Sequence, residues 1–104
     1  MKIQFNTDKI VNGDEKHQAY ITSLIADKLK RFQLYITRIE VHLSDENGNK
    51  EGPNDIQCLL EARIEGRPPI AVSYKADTLI LAVSGAIEKL KASLDTIIGK
   101  IQNH

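Results

Sequence analysis

Apolar and polar residues alternate in four short segments of the chain, the pattern of β-strands that bury one face. The first segment runs from Lys2 to Asn6, and the second, "ITRIEVHLS", places Ile39, Val41 and Leu43 between polar neighbours. The third is "IQCLLEARIE" and the fourth is "IAVSY". The polar loop "DENGNKEGPND" and the turn "GRPP" separate the last three segments, which predicts three consecutive strands joined by turns.

Two longer segments repeat their apolar residues at spacings of three and four, which predicts amphipathic helices. The first helix is expected from about Glu15 to Phe32, with Asn12 or Asp14 as its cap, and the last from a cap at Asp77 or Thr78 to about Gln102. The expected buried stripes are Ile21, Leu24, Ile25, Leu29 and Phe32 in the first helix, and Leu79, Val83, Ala86, Ile87, Leu90, Leu94, Ile97, Ile98 and Ile101 in the last.

The order of these elements is β-α-β-β-β-α, which predicts the α+β class. Consecutive strands joined by turns pair antiparallel, and both helices must cover the same apolar face of the sheet to bury their stripes. We therefore expect a four-stranded, largely antiparallel sheet with both helices on one face. A length of 104 residues, of which 41% are hydrophobic, suits one domain over residues 1–104.

Charge and composition narrow the classes of partner and compartment. The chain has 14 Lys and Arg against 14 Asp and Glu, so its formal net charge is zero, which argues against broad electrostatic attraction to nucleic acid or membrane but leaves local patches open. Its single cysteine cannot form an internal disulfide, and no secretory signal opens the chain. No apolar run approaches the roughly 20 residues of a membrane span. We expect a cytoplasmic protein with no membrane partner.

No group of residues points to catalysis or to a metal. His17, His42 and His104 fall on a helix, a strand and the terminus, without the spacing of metal ligands. Cys58 lies on the inward face of a predicted strand with no basic partner, which favours a buried small hydrophobe over a nucleophile. Glycine-containing segments such as "VNGDE" lack the lysine and the setting of a phosphate-binding loop. We expect no metal, no cofactor and no enzymatic activity.

The outward face of the sheet carries charged residues and one leucine. Glu40 and Glu61 alternate with Arg38 and Arg63, which predicts cross-strand charge pairing rather than a catalytic carboxylate pair. Leu59 falls on the same face. A single exposed leucine is ordinary on a protein surface, but this one also suggests a weak homodimer through the outer sheet face.

Lysines occupy both flanks of the last helix beside its apolar stripe. Lys89 and Lys100 share one flank with Ser93 and Thr96, whereas Lys91 lies on the other. Three turns separate Lys89 from Lys100, on the order of 16 Å at 1.5 Å per residue. Two cations at this spacing can meet separate phosphates of a folded RNA, although charged outer faces are also what amphipathic helices normally carry.

Several segments together resemble the ribosome hibernation-promoting factors, the protein Y family of ribosome-associated translation inhibitors. They are "SGAIEKLKASL" with the preceding "TLILAV", the "ADKLKRF" that ends the first helix, and the "IEVHL" strand. The similarity runs over nearly the whole chain and is that of a short family form. Within the family's pattern for the last helix, Ile87, Glu88, Lys89, Leu90 and Leu94 stand at matching positions.

The resemblance implies a domain that binds the small ribosomal subunit in the channel for messenger and transfer RNA and silences translation. In the family, basic residues of the two helices contact ribosomal RNA, and phosphate contacts by Lys and Arg supply affinity without sequence specificity. The matching or neighbouring cations here are Lys28, Lys30, Arg31, Lys89, Lys91 and Lys100. The alternative is a divergent protein-interaction module of the same fold that no longer binds ribosomes.

This chain departs from the family pattern in ways that favour the alternative. Ala92, Thr96, Ile98 and Gln102 stand where the family has further basic residues, and Ile80 replaces an aromatic residue after the helix cap. Each lost phosphate contact lowers the affinity for RNA and its dependence on salt. The two hypotheses differ in charge geometry, because ribosome binding requires the helix cations to join in one surface, whereas a protein partner favours an apolar patch with a polar rim.

Overall fold

The computed structural model describes residues 1–6, 15–45 and 55–102. The elements are β1 (Lys2–Phe5), α1 (Glu15–Lys28), a 3₁₀ turn (Lys30–Phe32), β2 (Ile36–Asp45), β3 (Ile56–Ile64), β4 (Ile70–Ala76) and α2 (Leu79–Gln102). The predicted α+β class and the β-α-β-β-β-α order are confirmed. The expected caps Asn12 and Asp14, and most of the loop between β2 and β3, lie outside the described residues.

The four strands form one sheet in the order β1-β2-β3-β4. β1 runs parallel to β2, and the other two pairs are antiparallel, as expected of a largely antiparallel sheet. Residues such as Ile39 and Leu60 are completely buried under the helices, which cover one face of the sheet. Gly66 has φ of 77°, a conformation that suits glycine, in the turn between β3 and β4.

A β-bulge interrupts the alternation at the start of β2. Ile36 pairs with Ile64 and Arg38 pairs with Arg63, so Thr37 is an extra residue on its strand. The hydroxyl of Thr37 donates a hydrogen bond of 3.1 Å to the Arg63 carbonyl. As a consequence Ile36 and Ile39, three residues apart, are both buried in the core.

The first helix is shorter than predicted, because α1 ends at Lys28 rather than Phe32. The next turn tightens to 3₁₀ geometry, in which the Phe32 N–H donates to the Leu29 carbonyl at 2.9 Å. The Tyr35 N–H then donates to the Phe32 carbonyl at 2.9 Å as the chain turns into β2. The tighter winding keeps Phe32 buried in the core while the chain reverses direction.

The stripe predicted for α2 is buried with two qualifications. Val83, Ala86, Ile87, Leu90, Leu94 and Ile98 are buried, and Leu79 is partly buried. Ile97 was expected in the core but is only half-buried, since it lies at the edge of the apolar arc. The side chain of Ile101 lies outside the described residues. Thr78 is the cap, and its Oγ1 accepts a 3.2 Å hydrogen bond from the Leu81 N–H.

The two helices run side by side in the same direction. Leu24 and Lys28 of α1 line a small cavity with Ser84 and Ile87 of α2. Further along both segments, Arg31 pairs with Asp95. Both helices therefore end at the same end of the molecule, beside the 3₁₀ turn.

Candidate nucleic-acid interface

Three of the six predicted cations line one shallow groove at the end of α1, which we call the basic groove. The 3₁₀ turn brings Lys30 and Arg31 around beside Lys28, and all three side chains are exposed. The groove has a volume of about 540 Å³, and its lining is completed by Asp27, Gln33 and Leu34. Clustered, exposed cations on a concave surface are suited to binding the phosphates of a nucleic acid.

Arg31 is held in place by two neighbours. Its guanidinium forms an ion pair with the Asp95 carboxylate of α2 and lies 4.4 Å from the centre of the Phe32 ring. The side chains of Arg31 and Asp95 are 60% and 49% exposed, so solvent screens their attraction. Arg31 is thus positioned at the groove with its charge partly neutralised.

Lys91 lies on the flank of α2 that faces α1. Its Nζ is 3.9 Å from a carboxylate oxygen of Glu88, one turn earlier in the helix. Glu88 in turn lines the cavity between the helices together with Lys28. Lys91 is therefore near the basic groove, with a carboxylate between it and Lys28.

Lys89 faces the other way, toward the edge of the sheet. Its Nζ donates a 2.9 Å hydrogen bond to the Ser73 carbonyl of β4 and lies 5.8 Å from the centre of the Tyr74 ring. Lys100 is exposed in the last turn of α2, and among the described residues no carboxylate pairs with it. The structure therefore joins Lys28, Lys30 and Arg31, places Lys91 beside them, and separates Lys89 from them.

A sequence model of the family described as "Sigma 54 modulation protein / S30EA ribosomal protein" matches residues 3–102. The chain belongs to this family. The resemblance stated from the sequence is confirmed, because ribosome hibernation factors of the protein Y type are part of it. Among curated protein sequences, none matches the chain significantly.

Two solved structures share the fold of this S30EA family member. The N-terminal domain of protein Y from Thermus thermophilus has a TM-score of 0.74 and 15% identity, with 93% of this chain and 99% of that chain covered. A ribosomal subunit interface protein from Coxiella burnetii has a TM-score of 0.70 and 16% identity, with 95% and 99% covered. At these identities the comparison shows the fold.

Sequence reasoning missed two residues of the basic groove and its surroundings. Leu34 is 87% exposed, the largest exposed fraction among the large apolar side chains of the described residues. Leu34 belongs to neither the helical nor the alternating pattern, and this absence from both patterns could have indicated that it lies outside the core. The pairing of Asp95 with Arg31, 64 residues away, left no trace in the spacing along either helix.

The opposite face of the sheet in this S30EA family member carries the predicted cross-strand charge pairs. Glu40 lies 3.7 Å from Arg38 and 3.5 Å from Arg63. A hydrogen bond with Glu61, directly opposite in the register, lowers the pKa of Glu40 from its ordinary value. Desolvation by burial raises the pKa of Glu40, whereas the charge of Arg38, a hydrogen bond from Asn6 and the charge of Arg63 lower it further.

Two further residues lie on the faces of the sheet expected from their alternation. Leu59 lies on the outer sheet face between His42 and Ser73, where it is half-buried rather than exposed. Cys58 is completely buried, and burial raises the pKa of its thiol to about 12. The Cys58 thiol is therefore protonated at neutral pH and is a poor nucleophile.

Neither a metal centre nor a membrane span is found in the described parts of the chain. Within residues 1–6, 15–45 and 55–102, no three His, Cys, Asp or Glu side chains come together in a way that could hold a metal ion. No helix in these ranges is long and apolar enough to cross a bilayer.

Proposed function

We propose that this protein binds the small ribosomal subunit through phosphate contacts to ribosomal RNA and thereby silences translation in the cytoplasm. The observation that carries the proposal is the basic groove, which gathers Lys28, Lys30 and Arg31 on one surface of an S30EA family member. The family name and the ribosomal subunit interface protein of the same fold support this choice of partner.

The three groove cations suit different parts of this interaction. Lys28 and Lys30 have no ion-pair partner among the described residues, so their ammonium groups can meet phosphates without first losing a protein contact. Arg31 presents a planar guanidinium held against Phe32, which reduces the side-chain entropy lost on binding. Phosphate contacts of this kind recognise the shape of folded RNA rather than its sequence.

The remaining predicted contacts contribute unequally in this proposal. Lys91 extends the cationic surface along α2 beside the groove, whereas Lys100, on the flank of Lys89, adds a separate charge at the helix end. Lys89 would have to release the Ser73 carbonyl before it could reach a phosphate, which makes it the weakest of the six. Asp27, Glu88 and Asp95 lie among these cations and oppose binding, so we expect moderate affinity that falls as salt rises.

The test is co-sedimentation with purified ribosomes in sucrose gradients at increasing salt, combined with a translation assay in vitro. The wild-type protein should migrate with the small subunit or the whole ribosome at low salt, leave it as salt rises, and inhibit translation. Lys28→Glu with Lys30→Glu should abolish both effects with only a small fall in the melting temperature, since both side chains are exposed and the cost is confined to the helix end at Lys28. Lys75→Glu, an equally exposed lysine on the other face of the sheet, is the matched control and should still bind.

A second pair of variants separates the two flanks of α2. Lys89→Glu with Lys100→Glu should weaken co-sedimentation less than the groove variant does. If the groove variant still binds and this pair does not, ribosome binding stands and its contact surface lies along α2. If the wild-type protein remains at the top of the gradient at low salt, ribosome binding is refuted.

One observation favours the alternative, a protein-interaction module. Tyr74 is 41% exposed and Leu81 is 56% exposed, and both line a groove of about 430 Å³ between the edge of β4 and the start of α2. An exposed apolar surface of this kind suits a protein partner better than an RNA phosphate. Binding of a protein partner that persists at high salt and is lost in Leu81→Ser would support this alternative.

A further inference from the structure

The edge of β4 carries backbone groups that the sheet does not use. The Asn6 N–H donates to the Val41 carbonyl, so the backbone groups of Val41 face β1. Neighbouring residues of a strand direct their backbone groups to opposite sides. The N–H and C=O of His42 therefore point toward β3, and those of its partner Leu59 point toward β2. Ser73, directly opposite Leu59 on β4, therefore turns its N–H and carbonyl away from β3.

The same alternation applies two residues to either side of Ser73. Ala71 and Lys75 also turn their backbone groups away from β3, and within the described residues no further strand pairs with β4. β4 therefore presents three consecutive outward positions along its seven residues, an open edge of the kind that accepts another strand. At the centre of this edge, the Ser73 carbonyl accepts a 2.9 Å hydrogen bond from Lys89 Nζ.

Exposed apolar side chains lie directly beside this edge. Tyr74 and Leu81 are two of the five large apolar residues that are exposed in the described structure, and both line the groove between β4 and α2. The Tyr74 ring packs on the backbone of Gly85, where any Cβ would overlap it. A strand added to β4 would cover both the free backbone groups and this apolar surface.

A second copy of β4 fits the edge by its own symmetry. Antiparallel pairing about Ser73 places Ala71 of one copy opposite Lys75 of the other on the outer face. The two copies of Lys75 therefore do not face each other, and no like charges are directly opposed across the strands. On the helix face the same register places Val72 opposite Tyr74 of the other copy, so apolar side chains meet. The two lysines at position 89 would then both lie near the symmetry axis, where their like charges repel.

We propose that the edge of β4 is a strand-pairing surface for a second copy of this chain and that Lys89 keeps it closed. Lys89 does so in two ways: it occupies the central carbonyl of the edge, and it places a positive charge where the partner strand would enter. The Tyr74 ring, 5.8 Å from Nζ, helps to hold the ammonium in this position. The proposal does not depend on ribosome binding.

Sedimentation equilibrium of the purified 104-residue chain, up to millimolar concentration, tests the proposal. The wild-type protein should have the mass of a monomer throughout. Lys89→Met should show an apparent mass that rises toward twice that of the monomer with concentration, whereas Lys100→Met, the matched loss of a lysine on the same flank, should remain monomeric. Lys89→Gln is a second variant that keeps a polar side chain, and it should dimerise more weakly than Lys89→Met.

Ser73→Pro in the Lys89→Met background identifies the surface. Proline removes the outward N–H of Ser73 and spares the hydrogen bonds with β3, so it should return the protein to a monomer. Amide exchange gives an independent readout, since the amides of Ala71, Ser73 and Lys75 should exchange rapidly in the wild type and become protected in Lys89→Met at high concentration. A wild-type dimer, a monomeric but folded Lys89→Met, or a dimer that survives Ser73→Pro would each overturn the proposal.

Discussion

Arg31 of the 3₁₀ turn and Asp95 of α2 form an ion pair that links the basic groove to the last helix. The two residues are 64 positions apart, and the pair forms because α1 and α2 run side by side in the same direction. Asp95 thereby positions Arg31 and competes with any phosphate for it. The pair sets how much of the positive charge of the groove is available to a ligand.

Asp95→Asn should therefore strengthen binding to ribosomes. The change releases Arg31 and adds one unit of positive charge, and the slope of log affinity against log salt should steepen by about 0.7 to 0.9 for one additional phosphate contact. Unfolding free energy should change by less than about 1 kcal/mol, because the pair is exposed. Asp77→Asn adds the same charge at the other end of α2 and should leave the slope unchanged; equal slopes for both variants would exclude Arg31 as a phosphate contact.

Leu90→Ala should destabilise the protein by roughly 2 to 5 kcal/mol. Leu90 is completely buried at the centre of the α2 stripe, so its truncation leaves a cavity under the sheet. Leu81→Ala, in the same helix but 56% exposed, should change stability by no more than about 0.5 kcal/mol. Urea denaturation of both variants measures the difference, and similar midpoints would show that the buried face of α2 is wrongly assigned.

The two glycines of α2 should respond in opposite directions to alanine. A Cβ at Gly85 overlaps the Tyr74 ring, so Gly85→Ala should destabilise by roughly 1 to 3 kcal/mol. A Cβ at Gly99 meets no atom within 4 Å, and Gly99→Ala should stabilise the helix by roughly 0.5 to 1 kcal/mol. Thermal melts decide the signs, and adding Tyr74→Ala should rescue Gly85→Ala if the ring is the cause.

Glu40 should make stability depend on pH in the acid range. Its pKa is lowered in the folded protein from an ordinary value of 4.5, chiefly by the hydrogen bond with Glu61. A carboxyl group with a lowered folded pKa stabilises the protein above its unfolded pKa, and this contribution disappears as pH falls through the folded value. Glu40→Gln should therefore be less stable than wild type at neutral pH, and the difference should close in acid.

Urea midpoints across this pH range measure the effect of Glu40. Glu65→Gln, in the exposed turn between β3 and β4, is the control for losing a carboxylate. A gap between Glu40→Gln and wild type that stays constant from neutral pH into acid would contradict the assigned direction of the pKa shift.

Amphipathic patterns predicted the fold because each element of this sheet-and-helix arrangement buries a single face. Ile39, Val41 and Leu43 alternate in sequence and are buried together, and Leu90 and Leu94 lie one turn apart on the covered side of α2. The cap of α2 was predicted to within one residue, as Asp77 or Thr78, and the structure shows that the Thr78 hydroxyl accepts the hydrogen bond from the helix.

Local irregularities that interrupt the strand alternation or the helical spacing could not be predicted in the same way. The bulge at Thr37 adds one residue to its strand, and the 3₁₀ turn after Lys28 tightens the winding of the chain. Each accompanies the burial of one side chain, Ile36 or Phe32. These adjustments depend on where the neighbouring strand and helix lie. The alternation and the helical spacing carry no information about them.

For the candidate site, the sequence predicted which flank of the helix each lysine occupies but not which residues it contacts. Spacing along α2 separated Lys89 from Lys91, and the structure places them on different sides of the helix. It could not show that Lys89 contacts Ser73 or that Arg31 contacts Asp95, because both contacts join segments that are distant in sequence. Charge spacing on one helix therefore identifies candidates but not which of them are already engaged.

The shared direction of α1 and α2 also orients their peptide dipoles. Each helix ends in carbonyl groups that carry a partial negative charge, and the end of α1 lies at the basic groove. Lys28 and Lys100, in the last turns of the two helices, are attracted to these carbonyls in the free protein. The backbone dipoles therefore favour keeping these two ammonium groups near the helix ends, and a polyanion that binds them competes with the terminal carbonyls.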